Sequence, residues 1–383
     1  MRFLSFSGGK EWKELRRFES LDDVERSIVF YAENKASMNH FKLLISELTE
    51  KMNLQICYVT SVKNDPVFLI KNQKIKSFYI GNGTARTKFF LTLKAKIMIM
   101  DMPDLNTFHI KRSMFYPVHY VYLFHSIFST HSYLREGAID NYDTIFCVGE
   151  HHVNEIKETE KVYGLKPKKL IKYGFGRLDT LINEKKNYKV SSNTTNLVLI
   201  APSYGDENLL EVCGIKLITS LLEKNFKVLL RPHFRTLKDS KKLIESIKKN
   251  FGKNPNFIFE SGVISSDLFH NSLCMISDWS GISFEYAFTF ERPVIFIDVP
   301  KKNMNPNAHN IHLEPIEIVI RKKIGYVVSP HDLKEIPNII RNLNKTDNIF
   351  NEQIKESRSK IVYNIGESSK VGAKYIHKLC NSL

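Results

Sequence analysis

Cys274-Met275-Ile276-Ser277-Asp278-Trp279-Ser280-Gly281-Ile282-Ser283-Phe284-Glu285-Tyr286-Ala287 reads as a strand running into a helix. The apolar run stops at Ser277-Asp278, a small turn follows at Ser280-Gly281, and Phe284, Ala287 and Phe288 then share one helical face. After Arg292-Pro293 a second apolar run, Val294 to Asp298, completes a β-α-β unit. The turn sets small residues and hydroxyls where the helix presents unpaired N–H groups and the positive end of its dipole, a place suited to phosphate.

Working outward, apolar runs alternate with helical patterns along most of the chain. Strands are predicted at 27–33, 54–60, 75–80, 95–100, 120–124 and 144–148, with helices at 37–51, 84–94 and 151–163 between them. A polar stretch without periodicity, 186–195, reads as a linker. Beyond it the pattern restarts with strands at 197–200, 227–230, 257–259 and 325–328 and helices at 207–224 and 237–249; a helical turn is expected at Asp267–Asn271. Alternation of this kind argues for parallel, doubly wound sheets. The fold class expected is α/β of GT-B architecture: two Rossmann-like domains facing each other across a cleft, 1–185 and 196–383.

The 383 residues carry a net charge of +15, which suits nucleic acid, an anionic membrane face or phosphate-rich substrates. No zinc-finger, RRM or basic heptad pattern supports nucleic acid. Five widely spaced cysteines, with neither disulfide nor zinc spacing, read as reduced thiols of a cytoplasmic protein. No apolar run reaches bilayer length, and the opening ten residues lack the apolar stretch of a secretory signal. Residues 10–22 mix aromatic and basic side chains at helical spacing, either as an interfacial helix on anionic lipid or as a helix packed on its own domain. Lys111-Arg112-Ser113-Met114-Phe115-Tyr116 is a basic, aromatic segment that reads as an ordinary loop or as an acceptor- or lipid-facing surface. Asp101 and Asp104 are read as strand-end and turn residues rather than a metal pair, and no metal or cofactor is expected.

Ligand groups in open α/β sheets gather at the carboxyl ends of strands. In the second half these positions hold Ser203, then Arg231 and His233, then Ser277, Asp278, Ser280 and Gly281. Arg231 offers a planar fork for phosphate oxygens, His233 a donor or proton shuttle, and the Ser280 turn a seat for the distal phosphate. Such a set stabilises a nucleoside-diphosphate leaving group without metal. In the first half His125 stands at a strand end, followed by Ser129 and Thr130. A lone histidine is usually structural; this placement makes it the candidate general base on an acceptor hydroxyl.

With these residues in view the chain resembles the CDP-glycerol glycerophosphotransferase family, which includes teichoic-acid primases and polymerases. The resemblance rests on Tyr142-Asp143-Thr144-Ile145-Phe146, Gly174-Phe175-Gly176-Arg177-Leu178-Asp179, Ala201-Pro202-Ser203-Tyr204-Gly205, Arg231-Pro232-His233, and Ser277-Asp278-Trp279-Ser280-Gly281 with Phe284-Glu285. It covers roughly 70–370. The chain departs from the family's Trp-His-Gly-Thr at Phe124-His125-Ser126-Ile127, and has Gly176 where the family has proline. The resemblance implies a CDP-glycerol or similar CDP-alditol donor, catalytic His125 and His233, and donor-phosphate contacts from Arg231, Ser277 and Ser280. It further implies a lipid-linked or saccharide acceptor in cell-envelope polymer synthesis, on the cytoplasmic face of the membrane. The competing readings are a GT-B sugar transferase of capsule or lipopolysaccharide synthesis, a nucleotide-sugar 2-epimerase and a non-enzymatic envelope protein.

Overall fold

The computed structural model describes residues 9–188, 196–262, 269–301 and 304–383. The opening residues 1–8, most of the expected linker (189–195) and the first two residues of the helical turn expected at Asp267–Asn271 lie outside the described residues.

The chain forms two compact units. The first takes residues up to Thr180, together with Asn307–Ile311 and Val362–Leu383. Its strands are β1 (Ile28–Ala32), β2 (Ile56–Thr60), β3 (Ile75–Tyr79), β4 (Ile97–Met100), β5 (His119–Leu123), β6 (Thr144–Cys147) and β7 (Lys169–Lys172). They pair in parallel in the order β3-β2-β1-β4-β5-β6-β7. The runs Ile-Val-Phe-Tyr-Ala, Ile-Cys-Tyr-Val-Thr and Ile-Met-Ile-Met are buried along their whole length, which is why they read as continuous rather than alternating. The edge strand β7 is half exposed and mixes lysine with leucine and isoleucine, so it does not read as a strand in the sequence.

The second unit takes Leu181–Pro306 and His312–Ile361. Its strands are β8 (Leu197–Ile200), β9 (Lys227–Leu230), β10 (Phe257–Phe259), β11 (Ser272–Ser277), β12 (Val294–Ile297) and β13 (Gly325–Val328), parallel in the order β10-β9-β8-β11-β12-β13. Each sheet therefore reverses its strand order once, between β1 and β4 and between β8 and β11. Ligands of open parallel sheets bind at such switch points.

The contacts of the last helix, Ser368–Ser382, differ from the sequence reading, which ran the second domain to residue 383. The side chain of Asp179 accepts hydrogen bonds from the amides of Gly366 (2.6 Å) and Ser368 (3.2 Å) and from the Ser368 hydroxyl. Gly174, at φ +106°, lets the backbone of Tyr363 approach so closely that an added Cβ would lie 2.3 Å from its carbonyl oxygen. The Gly174–Asp179 motif thus anchors the returning C-terminal segment to the first unit.

The segment near residue 10 forms the helix Lys10–Glu19. Leu15 and Phe18 are buried, and the Phe18 ring meets Phe78 and Phe89 edge-on. The packing matches the reading of a helix set on its own domain: this apolar face is covered by the unit itself, and Lys13, Arg16 and Arg17 are exposed. Among the described residues no helix is long and apolar enough to cross a membrane.

Candidate active site

His125 stands two residues beyond β5. Its Nδ1 lies 2.9 Å from the backbone carbonyl of Asp101, at the end of β4. A carbonyl only accepts, so Nδ1 carries the proton and Nε2 presents a lone pair. Burial holds the imidazole pKa below its ordinary value, against the opposing pull of the Asp101 carbonyl. The neutral ring is the form a general base needs.

The loop after His125 is held by the helix Glu150–Val162. His151 Nε2 donates to the Ile127 carbonyl (2.8 Å), and His152 Nε2 to the Phe128 carbonyl (2.9 Å). His152 Nδ1 accepts the Val148 amide at 3.3 Å, so this buried ring is satisfied on both nitrogens. Burial and the charge of His151 lower its pKa to about 3. Glu155 accepts from the amide and hydroxyl of Thr130, at 2.5 and 2.9 Å. Burial alone would raise its pKa; the His131 hydrogen bond and the neighbouring histidines win and bring it to about 2. His131 and Glu155 approach to 3.5 Å.

Across the first switch point the Ser37 hydroxyl donates to the Asp101 carboxyl at 2.9 Å. Burial drives that carboxyl up to about 7. His40, on the helix Ser37–Ser46, brings its ring to 6.3 Å from that of His125.

In the second unit, Asp278 sits at the end of β11 and is buried. Its carboxylate accepts the Ser203 amide at 2.6 Å and the Leu209 amide at 2.8 Å, tying the loop after β8 to the strand across the switch point. Burial raises its pKa and these donors pull it back. Ser277 donates its hydroxyl to the Ala201 carbonyl at 2.6 Å and is fully buried. The polar atoms of Ser277 and Asp278, two of the candidate donor contacts, hold the loop after β8 to the end of β11, with Ser203 in the same cluster. Ser280 and Gly281 are partly exposed at the start of the helix Ile282–Phe290, whose N-cap position is Gly281. Behind the turn, Arg321 stacks on Trp279 at 3.9 Å and donates to Asp298 at 3.0 Å, while Trp279 Nε1 donates to the Val299 carbonyl.

Arg231 and His233 follow β9, the neighbour of β8. The Arg235 amide donates to His233 Nδ1 at 3.2 Å. His233 is therefore the opposite tautomer to His125: its Nε2 carries the proton. The His233 ring stacks on Tyr204 at 4.5 Å, and the Arg235 guanidinium covers the other partner, lying 4.5 Å from the Tyr204 ring. Tyr204, Arg235, His40 and Glu155 escape sequence reasoning as site residues. The motif Ala201–Gly205 marks the place of Tyr204; nothing local marks the other three. Among the described residues no group of three or more histidine, cysteine, aspartate or glutamate side chains is placed to hold a metal ion.

The fold is shared with a histidine-to-asparagine variant of the wall teichoic acid polymerase TagF soaked with CDPG. The TM-score is 0.64 at 14% identity, over 97% of this chain and 94% of that one. S. aureus MnaA with UDP matches with a TM-score of 0.63 at 13% identity, over 94% and 98% of the two chains. The UDP-GlcNAc 2-epimerase of Neisseria meningitidis bound to UDP-GlcNAc matches with a TM-score of 0.55 at 13% identity, over 92% and 99%. No curated protein matches the sequence. The model of the CDP-glycerol:poly(glycerophosphate) glycerophosphotransferases matches residues 15–303, well over half the chain. A parallel-sheet α/β protein of GT-B type, with a neutral imidazole at the switch point of its first sheet, the chain belongs to the CDP-glycerol:poly(glycerophosphate) glycerophosphotransferase family and is a transferase of that kind.

Proposed function

We propose that the first unit serves the acceptor and the second holds CDP-glycerol. His125 Nε2 takes the proton of an acceptor hydroxyl as its oxygen attacks the β-phosphorus. The bond from that phosphorus to the bridging oxygen breaks, CMP leaves with the oxygen, and the acceptor gains glycerol phosphate. Arg231, the Nε2–H of His233, the Ser280 hydroxyl and the amides around Gly281 stabilise the charge that develops on the diphosphate. Ser203, Ser277 and Asp278 hold these groups in place. The observation that carries this reading is the pair of opposed tautomers: a lone pair on Nε2 of His125, and a proton on Nε2 of His233.

The acceptor is a lipid-linked or saccharide hydroxyl, reached on the cytoplasmic face of the membrane. Support comes from Met114 and Phe115, adjacent apolar side chains that are 73% and 69% exposed. Exposed apolar tips of this kind suit insertion at a lipid surface.

Thermal shift tests the donor. CDP-glycerol at about a hundredfold its Kd stabilises by about 2.7 kcal/mol, a shift of several degrees. CDP-glycerol stabilises and UDP-GlcNAc does not. His125→Ala retains this shift and loses transfer; loss of the shift in that variant refutes the assignment. Sedimentation with phosphatidylglycerol vesicles tests the surface: a Met114→Ser, Phe115→Ser double variant that still binds as wild type refutes it.

A further inference from the structure

His40 is a polar group without a role in the chemistry above. It lies in the first turn of the helix that follows β1, at the switch point of the first sheet. Two loops converge on it. The His125 ring after β5 is 6.3 Å away, the Phe175 ring after β7 is 6.0 Å away, and its own carbonyl lies 3.5 Å from where a Cβ on Gly176 would stand. Its Nδ1 is buried and has no hydrogen-bond partner among the described residues. A buried polar atom left in that state calls for an explanation, and a ligand is one.

The neighbours decide which ligand. Burial, then the proximity of His125 and Arg177, drives the His40 pKa well below its ordinary value. The ring is therefore neutral, which disfavours it as an anion contact. A neutral imidazole has one donor and one acceptor nitrogen, and a hydroxyl complements either. The His125 ring, which would deprotonate the reacting hydroxyl, is 6.3 Å away, a span that two hydroxyls on neighbouring carbons can bridge.

We propose that His40 hydrogen-bonds a second hydroxyl of the acceptor, next to the one that reacts, so that the first unit reads a polyol terminus rather than a single alcohol. This rests on the assignment of His125 and the first unit to the acceptor. It adds a residue that selects among acceptors.

The test uses the full-length enzyme with CDP-glycerol and two soluble acceptors in detergent: an alkyl phosphoglycerol, which ends in a diol, and the matched alkyl phosphopropanol lacking the inner hydroxyl. Wild type prefers the diol. His40→Ala lowers kcat/KM on the diol by about three- to tenfold, the worth of one neutral hydrogen bond, and leaves the deoxy acceptor unchanged. His40→Gln, which keeps a donor and an acceptor, restores part of the preference and serves as the readout if the alanine variant misfolds. Equal losses on both acceptors, no loss on either, or wild-type turnover without preference overturn the proposal. The underlying assignment fails by a different result: transfer surviving in His125→Ala, or donor affinity falling with that substitution.

Discussion

Asp278→Asn separates a residue that touches the donor from one that shapes its seat. The carboxylate holds two backbone amides, Ser203 at 2.6 Å and Leu209 at 2.8 Å, and is buried. An asparagine keeps one accepting oxygen and turns its NH2 against the other amide. One charge-assisted hydrogen bond is lost and one buried N–H is left unmatched, about 1.5–3 kcal/mol. For a unit of this size that lowers Tm by about 3–12 °C. Asp278→Ala removes both acceptors, about 3–6 kcal/mol, a large part of the roughly 5–15 kcal/mol that holds a domain folded. The assay is scanning calorimetry, paired with titration of CDP-glycerol well below the transition. The expected result is a lower Tm with a donor Kd within about tenfold of wild type, since the carboxylate would make no bond to the ligand. An unchanged Tm with a Kd weakened a hundredfold refutes the reasoning and returns Asp278 to the ligand.

Two further predictions concern the first unit. Because burial depresses the His125 pKa, its base form persists below the ordinary histidine value of about 6.5; the acid limb of kcat/KM lies below that pH, and a limb at or above 7 refutes the tautomer argument. Glu155→Gln weakens the tether on Thr130 by about 1–3 kcal/mol at neutral pH. The Glu155 pKa is lowered from 4.5 to about 2, so its stabilisation is present above 4.5 and lost as pH falls towards 2; the difference in urea stability between wild type and variant closes over that window.

Much of the fold is legible in the sequence because both sheets are parallel and covered on both faces. Leu197–Ile200, Lys227–Leu230, Phe257–Phe259 and Gly325–Val328 fall where the apolar runs place them. The misses share a cause: their reasons lie far along the chain. The edge strand Lys169–Lys172 is half exposed and lacks the apolar run of its neighbours. The C-terminal helix belongs to the first unit through Asp179, almost 190 residues earlier, and no local pattern marks that partner. The positions of His125, Arg231, His233 and Ser280 are legible because carboxyl ends of strands are local features. The duties of Ser277 and Asp278 are not. A serine or aspartate beside a phosphate turn reads the same whether it faces ligand or backbone, and only the positions of Ala201, Ser203 and Leu209 decide.

The two switch points are built alike, and the difference between them follows from what each holds. In each sheet the strand across the switch point ends in a buried aspartate that grips the loop after the central strand: Asp101 after β4 and Asp278 after β11. Asp278 is held by backbone amides from two places in its loop, donors fixed by the chain and always present. Under the proposed function that suits a rigid seat for a diphosphate, since a preorganised site loses nothing to rearrangement when charge develops. Asp101 accepts the Ser37 hydroxyl, and burial raises its carboxyl to about 7 against the pull of that bond. Its main-chain carbonyl fixes the His125 tautomer whatever the state of the carboxyl. The two frameworks thus differ in the donors around one aspartate, which under the proposed function fits charge stabilisation in one unit and proton removal in the other.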